Sequence, residues 1–61
     1  MTINERAARA LDLTHDAAAR KVGIHTDTAR KVLATYLDGA CKLKASTAAA
    51  YCKYLEMVAR A

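Results

Sequence analysis

Apolar residues recur every three or four positions along most of this chain, the spacing that places side chains on one face of an α-helix. The pattern predicts four helices, over about 2–12, 15–22, 26–37 and 46–60. β-Branched residues are scattered and never alternate with polar ones over a long run, so strands are not expected. We therefore expect an all-α fold, a small four-helix domain that occupies residues 1–61 as a single unit.

Helix ends are marked by local signals. Thr2 and Glu5 form a capping box, in which the threonine caps the helix and the glutamate three residues later reaches back. Thr14 is a candidate N-cap for the second helix. Gly23 and Gly39 each follow an apolar periodic stretch, where glycine ends a helix in a left-handed conformation. Ser46 or Thr47 is expected to cap the last helix.

The buried face of the first helix is predicted from its apolar residues. Ile3, Ala7, Ala10 and Leu11 share one side. Because the chain is expected to turn after Asp12, we expect Leu13 to follow them into the core. Arg6 and Arg9 lie on another face, where solvent is the expected neighbour and DNA phosphate the alternative.

Residues 14–37, THDAAARKVGIHTDTARKVLATYL, have the spacing of two short helices joined at Gly23. Close helix crossing requires small residues, and Ala19, Ala29 and Val32 supply them around Ile24. The stretch GIHTDTARKVL resembles the helix-turn-helix of phage and plasmid repressors of the Cro, lambda-repressor or lactose-repressor-headpiece type. This resemblance implies a DNA-binding domain whose third helix enters the major groove. An ordinary helical hairpin with no role on DNA is the alternative.

The third helix has a polar face suited to a DNA groove. Arg30 and Lys31 are the expected base or phosphate contacts, because their donors match guanine and phosphate oxygens. Asp27 is expected to cap the helix start or to hold Arg30, three residues further on. The other candidate contacts on or before this face are His25, Thr26, Thr28 and Thr35.

Further cations are expected to hold the DNA backbone. They are Arg20, Lys21, Lys42 and Lys44. The last two flank Leu43 in a predicted loop, so a solvated loop is the alternative. His15 at the start of the second helix is a further candidate for phosphate.

The last helix carries two apolar stripes separated by Lys53, Glu56 and Arg60. The stripe with Leu55 and Val58 is aliphatic, so we expect it to face the core. The other stripe consists of Ala50, Tyr54, Met57 and Ala61. Tyrosine and methionine are enriched where proteins meet, so this stripe is the predicted homodimer interface.

Composition narrows the function further. The formal net charge is +4 and the sequence pI about 9.4, which favours a polyanionic partner. No signal peptide or membrane span is predicted, so the expected compartment is the cytoplasm, where Cys41 and Cys52 stay reduced. These cysteines, with His15 and His25, lack the close spacing of a zinc site, so no metal is expected.

The sequence therefore predicts a sequence-specific transcriptional regulator that binds double-stranded DNA, most simply a homodimeric repressor that occupies its promoter. Neither a cofactor, a small-molecule effector nor catalytic activity is expected, since no nucleophile set or phosphate loop is present. The alternative is a small protein-interaction module, of an antitoxin or inhibitor type, which binds another protein through its last helix.

Overall fold

The computed structural model describes residues 2–20 and 24–60, and the side chains of 2–15 and 25–60. This part of the chain forms three helices: α1 (Ile3–Arg20), α2 (Ile24–Leu37) and α3 (Ala45–Arg60). It contains no strand. The all-α prediction is confirmed. The prediction of four helices is wrong over the described residues, because α1 spans the first two predicted helices.

Thr14 shows why α1 does not break. Its hydroxyl donates to the carbonyl of Ala10 at 2.9 Å and lies 3.3 Å from that of Leu11, which is the bond of a mid-helix threonine and not of an N-cap. The side chain is fully buried. Residues 12–15 contain neither glycine nor proline, so nothing forces the helix to end there. The predicted helix end at Asp12 and the cap at Thr14 are both wrong.

The first residue of α1 and the last residue of α2 lie where the local sequence signals predict them. Thr2 caps α1, since its hydroxyl accepts the N–H of Glu5 at 3.2 Å and also lies 3.2 Å from the Glu5 carboxylate. At the end of α2, Gly39 has φ of 74°. Its N–H bonds to the carbonyl of Tyr36, and the next N–H bonds to that of Thr35. This pair of bonds is the Schellman motif, so the predicted glycine stop is confirmed.

The predicted starts of the other two helices are late. Helix α2 begins at Ile24 and not near Thr26. Helix α3 begins at Ala45, where the N–H of Ala48 bonds to the carbonyl of Lys44. Ser46 and Thr47 therefore lie inside the first turn of α3, and the predicted cap at either residue is wrong. The predicted turn at Gly23 lies outside the described residues.

The core lies where the three helices meet, and it is built largely from small side chains. Leu33 and Leu55 are its largest aliphatic members, each fully buried. The remaining buried apolar residues are Ala7, Ala10, Ala29, Ala48 and Cys52. Alanine at these positions allows close helix approach, and α1 packs most extensively on α3. The predicted inner faces of α1 and α3 are confirmed by this arrangement.

Leu13 does not join this core. Its side chain is 53% exposed, whereas Thr14 is buried. Because α1 continues through this point, each residue advances by about 100° around the axis, and the chain does not turn Leu13 inward. The prediction that Leu13 is a core residue is wrong.

No helix among the described residues is both long enough and apolar enough to cross a lipid bilayer.

Candidate nucleic-acid interface

One face of α2 is open to solvent and rich in hydrogen-bonding groups. Lys31 is exposed, and so are Asp27, Thr28, Ala34 and Thr35, which lie on the same side of the helix. Ala29 and Leu33 are buried on the opposite side. The packing of α2 onto α1 and α3 thus fixes which side of the helix remains available to a ligand.

Thr26 does not belong to this exposed face. Its relative exposure is 3%, so the prediction that it lies on the outer surface is wrong. Thr26 precedes Leu33 by seven residues, two helical turns, and so it lies on the side that faces the core. His25, in contrast, is exposed at the start of α2.

Arg30 is held against α1. A terminal guanidinium nitrogen lies 3.1 Å from Nδ1 of His15. Because a guanidinium has only donors, the Arg30 nitrogen donates this bond and Nδ1 of His15 accepts it. The Nε atom of Arg30 is buried and has no hydrogen-bond partner among the described residues. The expected pairing of Arg30 with Asp27 is therefore replaced by a contact between helices.

This contact changes the roles of the two neighbouring cations. Arg30 is half-buried, whereas Lys31 is exposed. Lys31 is thus the cation of α2 that projects freely from the exposed face. The pairing of Arg30 with His15 could not be read from the sequence, because fifteen residues separate them and no local spacing connects them.

Thr35 has a fixed side-chain orientation at the end of the exposed face. Its hydroxyl donates to the carbonyl of Val32 at 2.8 Å, and it lies 3.2 Å from Sγ of Cys41. Since the single hydroxyl proton is used by Val32, the Cys41 thiol donates to Thr35. The hydroxyl oxygen is thereby held in one position at the surface.

Of the four cations predicted to contact the DNA backbone, the structure describes the side chains of two. Lys42 and Lys44 are exposed in the segment between α2 and α3, and Leu43 between them is half-buried. The side chain of Arg20 and all of Lys21 lie outside the described residues. All four cations belong to residues 20–44, which hold six of the ten Lys and Arg residues and two of the six carboxylates. This segment alone therefore carries a net charge of +4, equal to that of the whole chain.

The cysteines are free thiols. Cys52 is buried, and its burial raises the pKa of its thiol, which disfavours the reactive thiolate. Cys41 is half-buried beside Thr35. Within the described part of the chain, no three side chains of His, Cys, Asp or Glu come together as metal ligands.

The outer stripe of α3 is exposed where the structure describes it. Met57 is 63% exposed and Tyr54 37% exposed, and Ala50 is also exposed. Ala61 lies outside the described residues. The inner stripe packs into the core through Leu55, so the predicted inward and outward sides of α3 are confirmed.

Comparison of the chain with protein-family models, with curated proteins and with solved structures gave no match.

Proposed function

We propose that this protein is a sequence-specific DNA-binding transcriptional regulator, in which α2 enters the major groove and His15 of α1 supports it through Arg30. The observation that carries the proposal is the exposed face of α2, where Lys31 stands among Asp27, Thr28 and Thr35, and none of the described side chains on that face is bulky and apolar. Major-groove recognition uses donors and acceptors on a helix narrow enough to approach the base edges.

Charge supports the same assignment. The basic segment 20–44 contains all of α2 and both exposed lysines of the following loop, Lys42 and Lys44. Phosphate contacts from such a segment would supply affinity that does not depend on sequence, while the face of α2 would supply selectivity. In this arrangement Lys31 contacts bases or nearby phosphates, and Arg30 supports the helix by its bond to His15.

We further propose that the protein acts as a homodimer that represses transcription by occupying its promoter. The exposed stripe of Tyr54 and Met57, with small Ala50 beside it, is the proposed interface. A twofold axis through this stripe would present two α2 helices to successive major grooves about 34 Å apart.

Selection from a random pool of duplex DNA tests the proposal most directly. We expect enrichment of a palindromic site and an affinity that falls steeply with salt, since bound cations release counterions from the duplex. Recovery of unselected sequences with no salt dependence would contradict it.

The exposed Tyr54 and Met57 also favour the second candidate, a module that binds another protein through α3. Retention on heparin separates the two candidates. DNA binding is supported if retention falls with salt and is weakened by Lys31→Ala and by Lys44→Ala. A protein-interaction module is not expected to depend on these lysines for retention.

A further inference from the structure

A second basic surface lies between α1 and α3. Arg6, Arg9 and Leu13 of α1 line one side of an open groove of about 440 Å³. Glu56, Ala59 and Arg60 of α3 line the other. A groove of this volume is large enough to receive several side chains of a partner.

This groove faces away from the exposed side of α2. Leu13 lies in the groove, whereas His15 contacts Arg30 of α2. Two helical positions correspond to a rotation of about 160° around the axis, so the two side chains leave α1 on nearly opposite sides. A protein bound to DNA through α2 would therefore keep the groove accessible.

The charges of the groove are only partly neutralised. Arg6 is paired with Glu56, while Arg9 and Arg60 form no ion pair among the described residues. Both of these arginines are exposed. The charge of Arg60 acts on Glu56 at longer range. Neither guanidinium is hydrogen-bonded to a carboxylate among the described residues, so each can hold one by two parallel hydrogen bonds.

Apolar surface accompanies these cations. Leu13 is 53% exposed, and Ala59, which lines the same groove, is half-buried. The core of the chain does not use this leucine side chain. Its presence among arginines indicates a partner that brings apolar side chains together with negative charge.

We propose that the groove between α1 and α3 binds an acidic segment of another protein, with carboxylates on Arg9 and Arg60 and an apolar side chain on Leu13. A nucleic-acid backbone fits less well. Glu5 and Asp12 lie one turn before and after Arg9 on α1, and both are exposed. A continuous row of phosphates would pass these carboxylates, whereas a short peptide need not.

A labelled peptide of repeated Asp-Asp-Leu is the probe, and fluorescence anisotropy measures its binding to the full chain. A peptide of repeated Asp-Asp-Ser tests the apolar contribution, and one of repeated Lys-Lys-Leu tests the sign of the charge. We expect binding in the order Asp-Asp-Leu, Asp-Asp-Ser, Lys-Lys-Leu. Amide resonances of Leu13 and Ala59 should shift on addition of the first peptide.

Two double variants of equal charge change provide the matched control. The double variant Arg9→Glu with Arg60→Glu should reduce the affinity for the Asp-Asp-Leu peptide about tenfold or more, because two charge-assisted contacts are lost. Lys42→Glu with Lys44→Glu should leave the peptide affinity within about twofold, since rim charges act weakly at a distance. Leu13→Ser should reduce the preference for leucine over serine peptides. Circular dichroism checks that each variant folds.

Three results would overturn the proposal: no binding of the Asp-Asp-Leu peptide, equal losses in both double variants, or peptide-induced shifts confined to α2. A fourth would reassign the groove. If a duplex DNA fragment displaces the peptide and shifts Leu13 and Ala59 in its place, the occupant is a nucleic-acid backbone and not a protein. The deciding readout is the shift at Leu13 and Ala59, so failure of this proposal is distinguishable from failure of α2 to recognise DNA.

Discussion

Arg6 on α1 and Glu56 on α3 form a two-point ion pair that joins the first and last helices. Nε lies 3.1 Å from Oε1 and a terminal nitrogen lies 3.3 Å from Oε2. The hydrogen bonds and charge of Arg6 lower the pKa of Glu56, and the same contacts raise the pKa of Arg6. Both side chains remain partly exposed, at 39% and 29%, so solvent screens the pair.

This pair predicts a pH dependence of stability. Because the folded pKa of Glu56 is lowered, the stabilisation is fully present above the ordinary glutamate value of 4.5 and is lost as pH falls through the lower folded pKa. Glu56→Gln should be less stable than the wild type in urea at neutral pH, and the difference should shrink in acid. Asp12→Asn is the control, since Asp12 is exposed and lies outside this pair. A difference that stays constant with pH would remove the ion pair as its cause.

The continuity of α1 can be tested at Thr14. Thr14→Asp places a carboxylate at a fully buried mid-helix position, and we expect a loss of about 3 kcal/mol or more. Thr14→Val keeps the shape and should cost about 1 kcal/mol or less. An N-cap would give the reverse order, because aspartate caps a helix well and valine does not. Thermal and urea denaturation of the two variants decides between the arrangements.

Because Gly39 is left-handed, replacing it should lower the free energy of unfolding through backbone strain alone. A Cβ at this position would meet no other atom within 4 Å, but φ is 74°. Gly39→Ala should therefore destabilise the protein by about 1 kcal/mol, and Gly39→Asn by less, since asparagine tolerates this conformation. Equal losses for the alanine and asparagine variants would point to a cause other than φ. Urea denaturation gives the comparison.

The proposed DNA contacts divide by function. Lys31→Ala should weaken binding to a selected site by about 1–3 kcal/mol and relax the preference at one base pair per half-site. Lys44→Ala should reduce the affinity for all DNA sequences alike and should reduce the slope of log affinity against log salt concentration by about 0.9. Lys53→Ala, on the exposed surface of α3, is the control for charge. Identical behaviour of the first two variants in titrations across salt concentrations would contradict the assigned roles.

Dimerisation can be tested with a substitution that should leave the fold of each chain intact. Met57 is exposed, so Met57→Glu should leave a folded monomer with weaker operator binding, because a charge at an apolar interface loses its water. Lys53→Glu, on the same helix but off the stripe, should leave association unchanged. Sedimentation measures both. A wild-type monomer at tens of micromolar without DNA would exclude this interface.

The sequence alone determined the features of this protein that depend on neighbours within one or two helical turns. Helical periodicity gave the all-α class and two apolar stripes on α3, and the aliphatic Leu55 and Val58 indicated which stripe faces inward. The cap at Thr2 and the stop at Gly39 were readable because each is made by bonds between residues no more than five apart.

Tertiary structure decided the rest, because threonine and arginine each have more than one favourable local arrangement. Thr14 can cap a helix or bond back within one, and burial of its side chain among the packed helices selects the second. Arg30 could have bonded to Asp27 on its own helix, but the approach of α1 places His15 within 3.1 Å. Contacts across fifteen or fifty residues, such as this one and the pair of Arg6 with Glu56, leave no periodic signal in the chain, since they exist only once the helices have packed.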